Sequence, residues 1–139
     1  MSRISWRWSA PMLDGNMRLL LRAEGAALFI AALIGFAMLG LSWWMFAVLF
    51  LAPDLAFVFY LFGPRPGAFA YNVMHSTIGP VLLGGVAWWL GLDIVGTLLM
   101  GAAVIWAGHV GFDRMLGYGL KYASGFRDTH LGRIGRDKA

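Results

Sequence analysis

The chain has 139 residues, of which 60% are hydrophobic and only 13% are charged, and its formal net charge is +4. Soluble domains are about 45–50% apolar and about 25% charged, so this composition excludes a disordered or collagen-like chain and argues against a soluble enzyme. Because there is no cysteine, disulfide scaffolds and thiolate metal sites are excluded as well. We therefore expect a single-domain integral membrane protein.

Charged residues are absent from three long stretches, 25–53, 66–92 and 94–112. A helix needs about 20 mostly apolar residues to cross about 30 Å of hydrocarbon. The first stretch is too long for one helix, and Gly40-Leu41-Ser42 offers a turn within it. We predict four helical spans in chain order, 23–41, 43–62, 68–90 and 93–113. Helices are predicted because lipid tolerates no open sheet edge.

The breaks between spans are predicted at Leu41-Ser42, at Gly63-Pro64-Arg65-Pro66-Gly67 and at Gly91-Leu92-Asp93. Glycine and proline both interrupt helices, and the turns are short. The sequence therefore predicts an all-α, up-down-up-down bundle of four transmembrane helices. We interpret the first apolar run as a span and not as a signal peptide, because Glu24 opens it and no small-residue cleavage site follows.

All 11 Lys and Arg residues precede span one, separate spans two and three, or follow span four. With four spans these regions lie on one side, which the positive-inside rule makes cytoplasmic, with both termini. Trp43-Trp44 and Trp88-Trp89 then lie at the outer interface, where aromatic belts occur. The basic face is expected to attract anionic lipid heads, not nucleic acid.

The two ends of the chain differ from the predicted transmembrane domain, 19–113. Residues 1–18 carry Trp6 and Trp8 among arginines and predict an interfacial segment. Residues 114–139 are basic, too rich in glycine for a stable helix and too aromatic for a plain disordered tail. A solvated tail and a folded cap over the cytoplasmic end of the bundle both remain open.

Ionisable residues inside spans are costly in lipid and usually face the bundle interior. Here they are Glu24, Asp54, His75, His109 and Asp113, with Asn72 as a neutral companion. At a rise of about 1.5 Å per residue, all six fall in the cytoplasmic half of the bundle. Asn72 and His75 are spaced i,i+3, and His109 and Asp113 are spaced i,i+4, so each pair shares a helix face. The sequence therefore predicts one polar pocket.

His75, His109 and Asp113 are the predicted ligands of a divalent ion such as Zn²⁺, because imidazole and carboxylate together suit such ions. Asp54 and Glu24 are the candidate catalytic carboxylates, since a carboxylate that is not a ligand can act as general base. The preferred hypothesis is a metal-dependent membrane hydrolase acting on a lipid-like substrate. Glu24 has a second interpretation, pairing with Arg18 or Arg22 near the interface.

Three other functions stay open. His75 and His109 lie at similar depth on adjacent helices, a placement that suits a bis-His b-type haem. The same histidines with Asp54 would line a path for a small proton or cation carrier. Polar residues also hydrogen-bond between helices, which suits a non-catalytic accessory or assembly subunit of a larger membrane complex, or a homo-oligomer.

Several strings occur in a distinctive order along nearly the whole chain, from about 18 to 135. They are Arg22-Ala23-Glu24-Gly25, Leu51-Ala52-Pro53-Asp54-Leu55, Tyr71-Asn72-x-x-His75, His109-Val110-Gly111-Phe112-Asp113-Arg114, Gly117-Tyr118-Gly119-Leu120-Lys121-Tyr122 and Asp128-Thr129-His130-Leu131-Gly132. The chain resembles the small bacterial integral membrane proteins classed as domain of unknown function 4260. The resemblance implies a multi-pass protein of the bacterial cytoplasmic (inner) membrane, and it supplies no activity.

The C-terminal strings bear on the predicted pocket. If Tyr118, Lys121, Asp128 and His130 fold back over the bundle, His130 would complete a three-His ligand set. Asn72, Tyr118 and Lys121 are then the expected supporting residues. A free tail from residue 115 onward would leave the pocket without them.

Overall fold

The computed structural model describes residues 15–91 and 93–134, so predictions for Trp6 and Trp8 lie outside the described residues. The helical elements are α1 (Gly15–Met38), α2 (Trp43–Phe50), a 3₁₀ helix (Ala52–Phe62), α3 (Pro64–Met74), α4 (Ile78–Leu90) and α5 (Ile94–Leu116). Two short antiparallel strands, β1 (Asp128–Thr129) and β2 (Gly132–Arg133), form a hairpin after α5.

These elements form four segments long and apolar enough to cross a membrane: Gly15–Met38, Trp43–Phe62, Pro64–Leu90 and Ile94–Leu116. The prediction of an all-α membrane protein with four spans is confirmed. The outward-facing side chains are strongly apolar, and Trp44 and Trp89 are among the most exposed. Such a surface is what a lipid-embedded bundle presents to acyl chains.

The first and last helices are longer than the predicted spans. α1 begins at Gly15 and not near residue 23, so Arg18 and Arg22 lie within the helix. Long cationic side chains extend along a helix surface toward the polar headgroups, so charge alone does not end a helix there. α5 continues past residue 113 to Leu116 and ends at Gly117, whose positive φ of 94° closes the helix.

The predicted Gly-Pro loop 63–67 is shorter in the structure. Gly63 alone breaks the chain, with φ 118°, and α3 begins at Pro64. Prolines suit the first turn of a helix because the backbone N–H groups they lack have no helical partner there. Gly67 lies in α3 against the ring of Tyr60, where an added Cβ would overlap that ring.

The second and third spans, predicted as continuous helices over 43–62 and 68–90, are each interrupted. α2 ends at Phe50, and the 3₁₀ helix follows with Pro53 in its first turn. α3 ends at Met74, and α4 resumes at Ile78 with Pro80 in its first turn. A proline lacks the N–H for the helical bond and its ring crowds the carbonyl four residues earlier, so both breaks have a local cause.

α5 is the central element of the bundle. It packs along α1 and α4 and also contacts α2, whereas the 3₁₀ helix packs on α3. Small residues allow the close approach of α1, since Gly111 lies against Gly25 and Gly108 lies against Ala32. This packing brings the end of α5, the end of α3 and the 3₁₀ helix to one end of the bundle.

Candidate metal centre

Two histidines and two carboxylates meet at that end of the bundle. Nε2 of His75 lies 3.1 Å from Nε2 of His109. Oδ1 of Asp54 lies 3.4 Å from the first of these nitrogens and 3.5 Å from the second. Oδ2 of Asp113 lies 3.5 Å and 4.0 Å from the same two atoms. The structure therefore brings together four of the polar residues that the sequence had placed in one pocket.

Each of these side chains is placed by its local backbone. The 3₁₀ helix has about three residues per turn, so Asp54, Phe57 and Tyr60 fall on one face. His75 caps the end of α3, where the chain leaves the helix at φ −107°. His109 is buried on the central helix, one turn before Asp113.

The orientation of His75 is fixed by its own helix. Its Nδ1 lies 2.9 Å from the carbonyl oxygen of Tyr71, so Nδ1 carries the proton and donates it to that oxygen. In the neutral imidazole, Nε2 then presents a lone pair to the cluster. The ring of Tyr71 stacks on His75 at 3.7 Å between centroids. A ring N–H held by a backbone carbonyl is the usual outer-sphere arrangement of a metal-ligating histidine.

His109 is also deeply buried, with 2% of its surface exposed. Its imidazole ring and the ring of Phe50 pack edge to face, with 5.2 Å between their centroids. Within the described part of the chain, Nδ1 of His109 is buried without a hydrogen-bond partner. An unsatisfied buried polar group is costly, so the burial of His109 needs an explanation beyond packing.

The spacing of three of these atoms suits a small divalent cation. One ligand atom each from Asp54, His75 and His109 lies within 4.8 Å of the other two. Four ligands placed tetrahedrally at about 2.0–2.1 Å from Zn²⁺ are about 3.3 Å apart. The three measured separations of 3.1, 3.4 and 3.5 Å bracket that value. In this geometry Asp54, which was predicted as a catalytic carboxylate, lies where it could bind an ion together with His75 and His109.

Asp113 lies beside this triad and has an additional partner. The hydroxyl of Tyr71 donates to its Oδ2 at 3.1 Å. Tyr71 thus contacts both His75 and Asp113. The sequence did not predict this bridging role for Tyr71. Its spacing of i,i+4 to His75 would have been the signal, because residues at that spacing share a helix face.

The haem alternative does not fit this geometry. Axial histidines bind a haem iron from opposite faces of a porphyrin, so their nitrogens are separated by the macrocycle plane. Nε2 of His75 and Nε2 of His109 are in direct contact at 3.1 Å, and the rings meet edge to face. No space for a porphyrin lies between them.

A cavity of about 350 Å³ lies beside the two carboxylates. Its walls are Asp54, Phe57, Tyr71, Asp113, Tyr118, Lys121, Phe126 and Ile134. The histidines lie behind this surface, since His75 and His109 are almost fully buried. A molecule entering the cavity therefore meets the carboxylates first.

The C-terminal cap, which we define as residues 117–134, closes one wall of this cavity. Asn72 holds it to α3 by a reciprocal pair of bonds: its Nδ2 donates to the carbonyl oxygen of Lys121 at 2.8 Å, and its Oδ1 accepts from the backbone N–H of Lys121 at 2.7 Å. Lys121 also pairs with Thr129 across the cap. In the described residues the segment is a folded cap: Tyr118 and Lys121 line the cavity, and Asn72 holds the backbone of Lys121 beside it.

His130 and Glu24 lie away from the cluster. They line a second cavity of about 260 Å³ with Leu21, Gly25, Leu28, Arg114 and Leu131. Nδ1 of His130 accepts the backbone N–H of Leu120 at 2.8 Å, so this ring stabilises the cap. The structure does not bring the predicted third histidine to the other two.

Glu24 is exposed on α1 and has no contact with the candidate ligands, so its predicted catalytic part has no geometric support. Its predicted pairing with Arg18 or Arg22 is also not seen: among the described side chains, no ion pair at 4.0 Å or less joins Glu24 to either arginine. Nε of Arg22 donates to the carbonyl oxygen of Met115 at 2.8 Å instead. This bond ties α1 to the end of α5.

The comparisons with known proteins agree with the resemblance noted from the sequence. A family model described as Domain of unknown function (DUF4260) matches residues 18–134. No curated protein and no solved structure matches the chain.

Proposed function

Since the chain belongs to the Domain of unknown function (DUF4260) family, a membership that carries no activity, we propose a function from the geometry of the cluster. The protein binds one divalent metal ion, such as Zn²⁺, through Asp54, His75 and His109, and hydrolyses a lipid-like substrate. The observation that carries the proposal is the convergence of two buried Nε2 atoms and one carboxylate oxygen within 4.8 Å.

The donor set supports a catalytic ion more than a purely structural one. Structural zinc sites are closed by four protein ligands, whereas catalytic sites use three and keep an open position. Here three ligand atoms converge, and the cavity lies beside them, with Asp54 in its wall. A bound divalent ion polarises a carbonyl or phosphoryl oxygen and makes water more acidic.

Asp113 is the proposed general base. Its Oδ2 lies beside the triad and faces the cavity, where it can accept a proton from water. The Tyr71 hydroxyl holds this carboxylate in place by its bond to Oδ2. The proposal therefore exchanges the roles predicted for these two carboxylates: Asp54 is a metal ligand and Asp113 is the general base.

The surrounding bundle supports a lipid-like substrate. The site lies among four apolar spans and beside a cavity, where the polar group of a membrane-embedded molecule can reach it. We place this end at the cytoplasmic face of the bacterial inner membrane, with both termini inside. The positive-inside distribution of all 11 Lys and Arg residues supports that orientation.

Metal content is the direct test. The full chain is purified in detergent, loaded with Zn²⁺, exchanged into metal-free buffer and measured by elemental analysis. We expect about one metal ion per chain in the wild type and its loss in His109→Ala. His130→Ala is the matched control and keeps the ion, because this ring lies in the other cavity. Wild type without metal, or metal retained in His109→Ala, would contradict the proposal.

Hydrolysis is tested on the same preparations. Asp113→Asn is expected to keep the metal and to lower the rate of release of product from short-chain ester and phosphoester lipids by about 10²–10⁴-fold, the typical contribution of a general base. Glu24→Gln, the same kind of change in an exposed carboxylate outside the cluster, is expected to leave the rate unchanged. Equal rates of hydrolysis for wild type and Asp113→Asn would show that Asp113 is not the general base.

A further inference from the structure

Lys121 is a buried cation in the wall of the candidate active-site cavity. Only 4% of its surface is exposed, although lysine is among the residues least often buried. Its Nζ donates to the carbonyl oxygen of Phe126 at 3.0 Å. An ammonium has three N–H donors, so this bond leaves donor capacity on the nitrogen.

The surroundings of this ammonium are aromatic and not acidic. Nζ lies 3.7 Å from the ring centroid of Phe126, 4.6 Å from that of Tyr71 and 5.9 Å from that of Phe57. Among residues 15–91 and 93–134, no carboxylate oxygen lies within 4.0 Å of it. Ring faces stabilise a cation only partly, so a buried ammonium of this kind still lacks an anionic partner.

Burial also changes the acidity of this group. Desolvation lowers the pKa of Lys121, and the negative charge of Asp113 opposes that shift. The low exposure of Lys121 agrees with this loss of water around the ammonium. A desolvated cation that opens on a cavity is a suitable place for an anion to bind.

The charges of the cavity favour an anion once the metal is bound. Without an ion, the carboxylates of Asp54 and Asp113 outweigh the single positive charge of Lys121, and an anion is repelled. A divalent cation balances the two carboxylates, with His75 and His109 neutral. The charge that remains is then the one on Lys121.

From this arrangement we infer that the cavity binds the phosphate group of an anionic substrate, with Nζ of Lys121 contacting one phosphate oxygen. The inference rests on the proposed function, because it needs the metal charge. A phosphate carries oxygens in several directions, so one group can face both Lys121 and the metal triad. Lysine binds phosphate as a point charge, and the hydroxyl-bearing Tyr118 lies in the same wall.

The test measures binding of inorganic phosphate to the Zn²⁺-loaded full chain in detergent, by calorimetry and by ³¹P NMR. Lys121→Met removes the charge and keeps most of the apolar stem, and we expect it to bind phosphate about 10- to 100-fold more weakly, as for loss of a charge-assisted hydrogen bond. Arg127→Met is the matched control, since it removes an exposed cation from the same cap and is expected to bind as wild type does.

Metal content is measured on every sample, so that failure of the metal-site proposal can be distinguished from failure of the phosphate-binding inference. Metal retained with equal phosphate affinity in wild type and Lys121→Met overturns the inference and leaves the metal site standing. A wild type that holds no Zn²⁺ overturns both. Chelator-treated wild type is a second arm that needs no variant, and phosphate affinity that survives metal removal also overturns the inference. If Lys121→Met does not fold, Lys121→Gln replaces it, with the same expectation.

The source of the phosphate is distinguished by competition. Nanodiscs of phosphatidylcholine alone are compared with nanodiscs containing phosphatidic acid, and glycerol phosphate is added in solution. Displacement of inorganic phosphate by phosphatidic acid identifies a lipid headgroup as the ligand, and displacement by glycerol phosphate alone identifies a soluble monoester. If neither displaces it, phosphate-bearing substrates are excluded and the inference is overturned.

Discussion

The two cluster histidines differ in how their rings are held. His75 has a fixed tautomer, because Nδ1 bonds to the carbonyl oxygen of Tyr71. His109 has no such partner at Nδ1 in the described structure. With Nε2 of His75 restricted to accepting, the 3.1 Å contact requires Nε2 of His109 to donate when no ion is present. A metal ion at Nε2 would require the other neutral tautomer, with the ring proton of His109 on Nδ1.

His130 gives a prediction for the pH dependence of the cap. Nδ1 of this ring accepts from the N–H of Leu120, which requires the ring to be unprotonated on that atom. Desolvation lowers the pKa of His130 below its usual value, and the positive charge of Arg114 adds to that shift. The unfolded cap therefore binds protons more readily than the folded cap.

The cap is accordingly expected to lose stability as pH falls below about 6.5, and to keep it at higher pH. Hydrogen exchange at the Leu120 amide, corrected for the intrinsic rate, is the measurement. The Tyr118 amide, which donates to the carbonyl oxygen of Asp113, is the internal reference because no titrating group accepts it. Protection of Leu120 that is independent of pH, or unchanged in His130→Ala, would refute this prediction.

At the scale of elements, the breaks in the spans place the site. The interruption between α3 and α4 lets His75 turn toward α5, and the indole N–H of Trp106 donates to the Met74 carbonyl oxygen next to it. The 3₁₀ helix places Asp54 and Phe57 on one face. Irregular backbone inside a membrane persists where neighbouring helices satisfy its polar groups, as this indole does.

The contact of α1 with α5 depends on small residues, and Gly111 tests it. An added Cβ there would lie 2.8 Å from the backbone oxygen of Gly25 and 2.8 Å from the backbone nitrogen of Phe29. Because backbone atoms cannot rotate away, Gly111→Ala should separate the helices and cost about 1–3 kcal/mol in free energy of unfolding. Thermal unfolding in detergent measures the change.

Gly85→Ala in α4 is the matched control, because nothing lies within 4 Å of the added Cβ. This variant is expected to be neutral or to gain up to about 1 kcal/mol from the better helix propensity of alanine. A melting temperature of Gly111→Ala equal to that of Gly85→Ala would mean that α1 and α5 are less closely packed than the structure indicates.

At the scale of the molecule, the polar groups and the cap gather at one end of an otherwise apolar bundle. Asp54 and Asp113 line the cavity, and the cap contributes Lys121 and Phe126 to its walls. The proposed orientation makes this end cytoplasmic. A substrate would then be taken from the inner leaflet or from the cytoplasm.

Single cysteines test that orientation, since the chain has none of its own. Ser42→Cys lies in the turn after α1, and Ala123→Cys lies in the cap. A membrane-impermeant thiol reagent is expected to label Ser42→Cys in intact cells, and Ala123→Cys only after the inner membrane is permeabilised. The reverse pattern would place the cavity outside and would contradict the positive-inside assignment.

The sequence by itself determined the class of protein. Charge-free stretches of sufficient length allow only membrane helices, so the number of spans and the turn at Gly40-Leu41-Ser42 followed from composition and hydrogen-bonding requirements. The family was also evident, and the match over 18–134 confirmed it. Helix periodicity grouped Asp113 with His109 correctly, because residues four apart share a face in any α-helix.

Only the tertiary structure decided which polar residues meet. His75 and His109 are 34 positions apart, and their contact depends on how α3 and α5 pack, which local spacing does not determine. The same packing separated Glu24 and His130 from the cluster, and the reciprocal bonds of Asn72 made the C-terminal residues a cap. Helix breaks and long-range contacts arise from the whole bundle, because each buried polar group takes its partner from whichever element lies beside it.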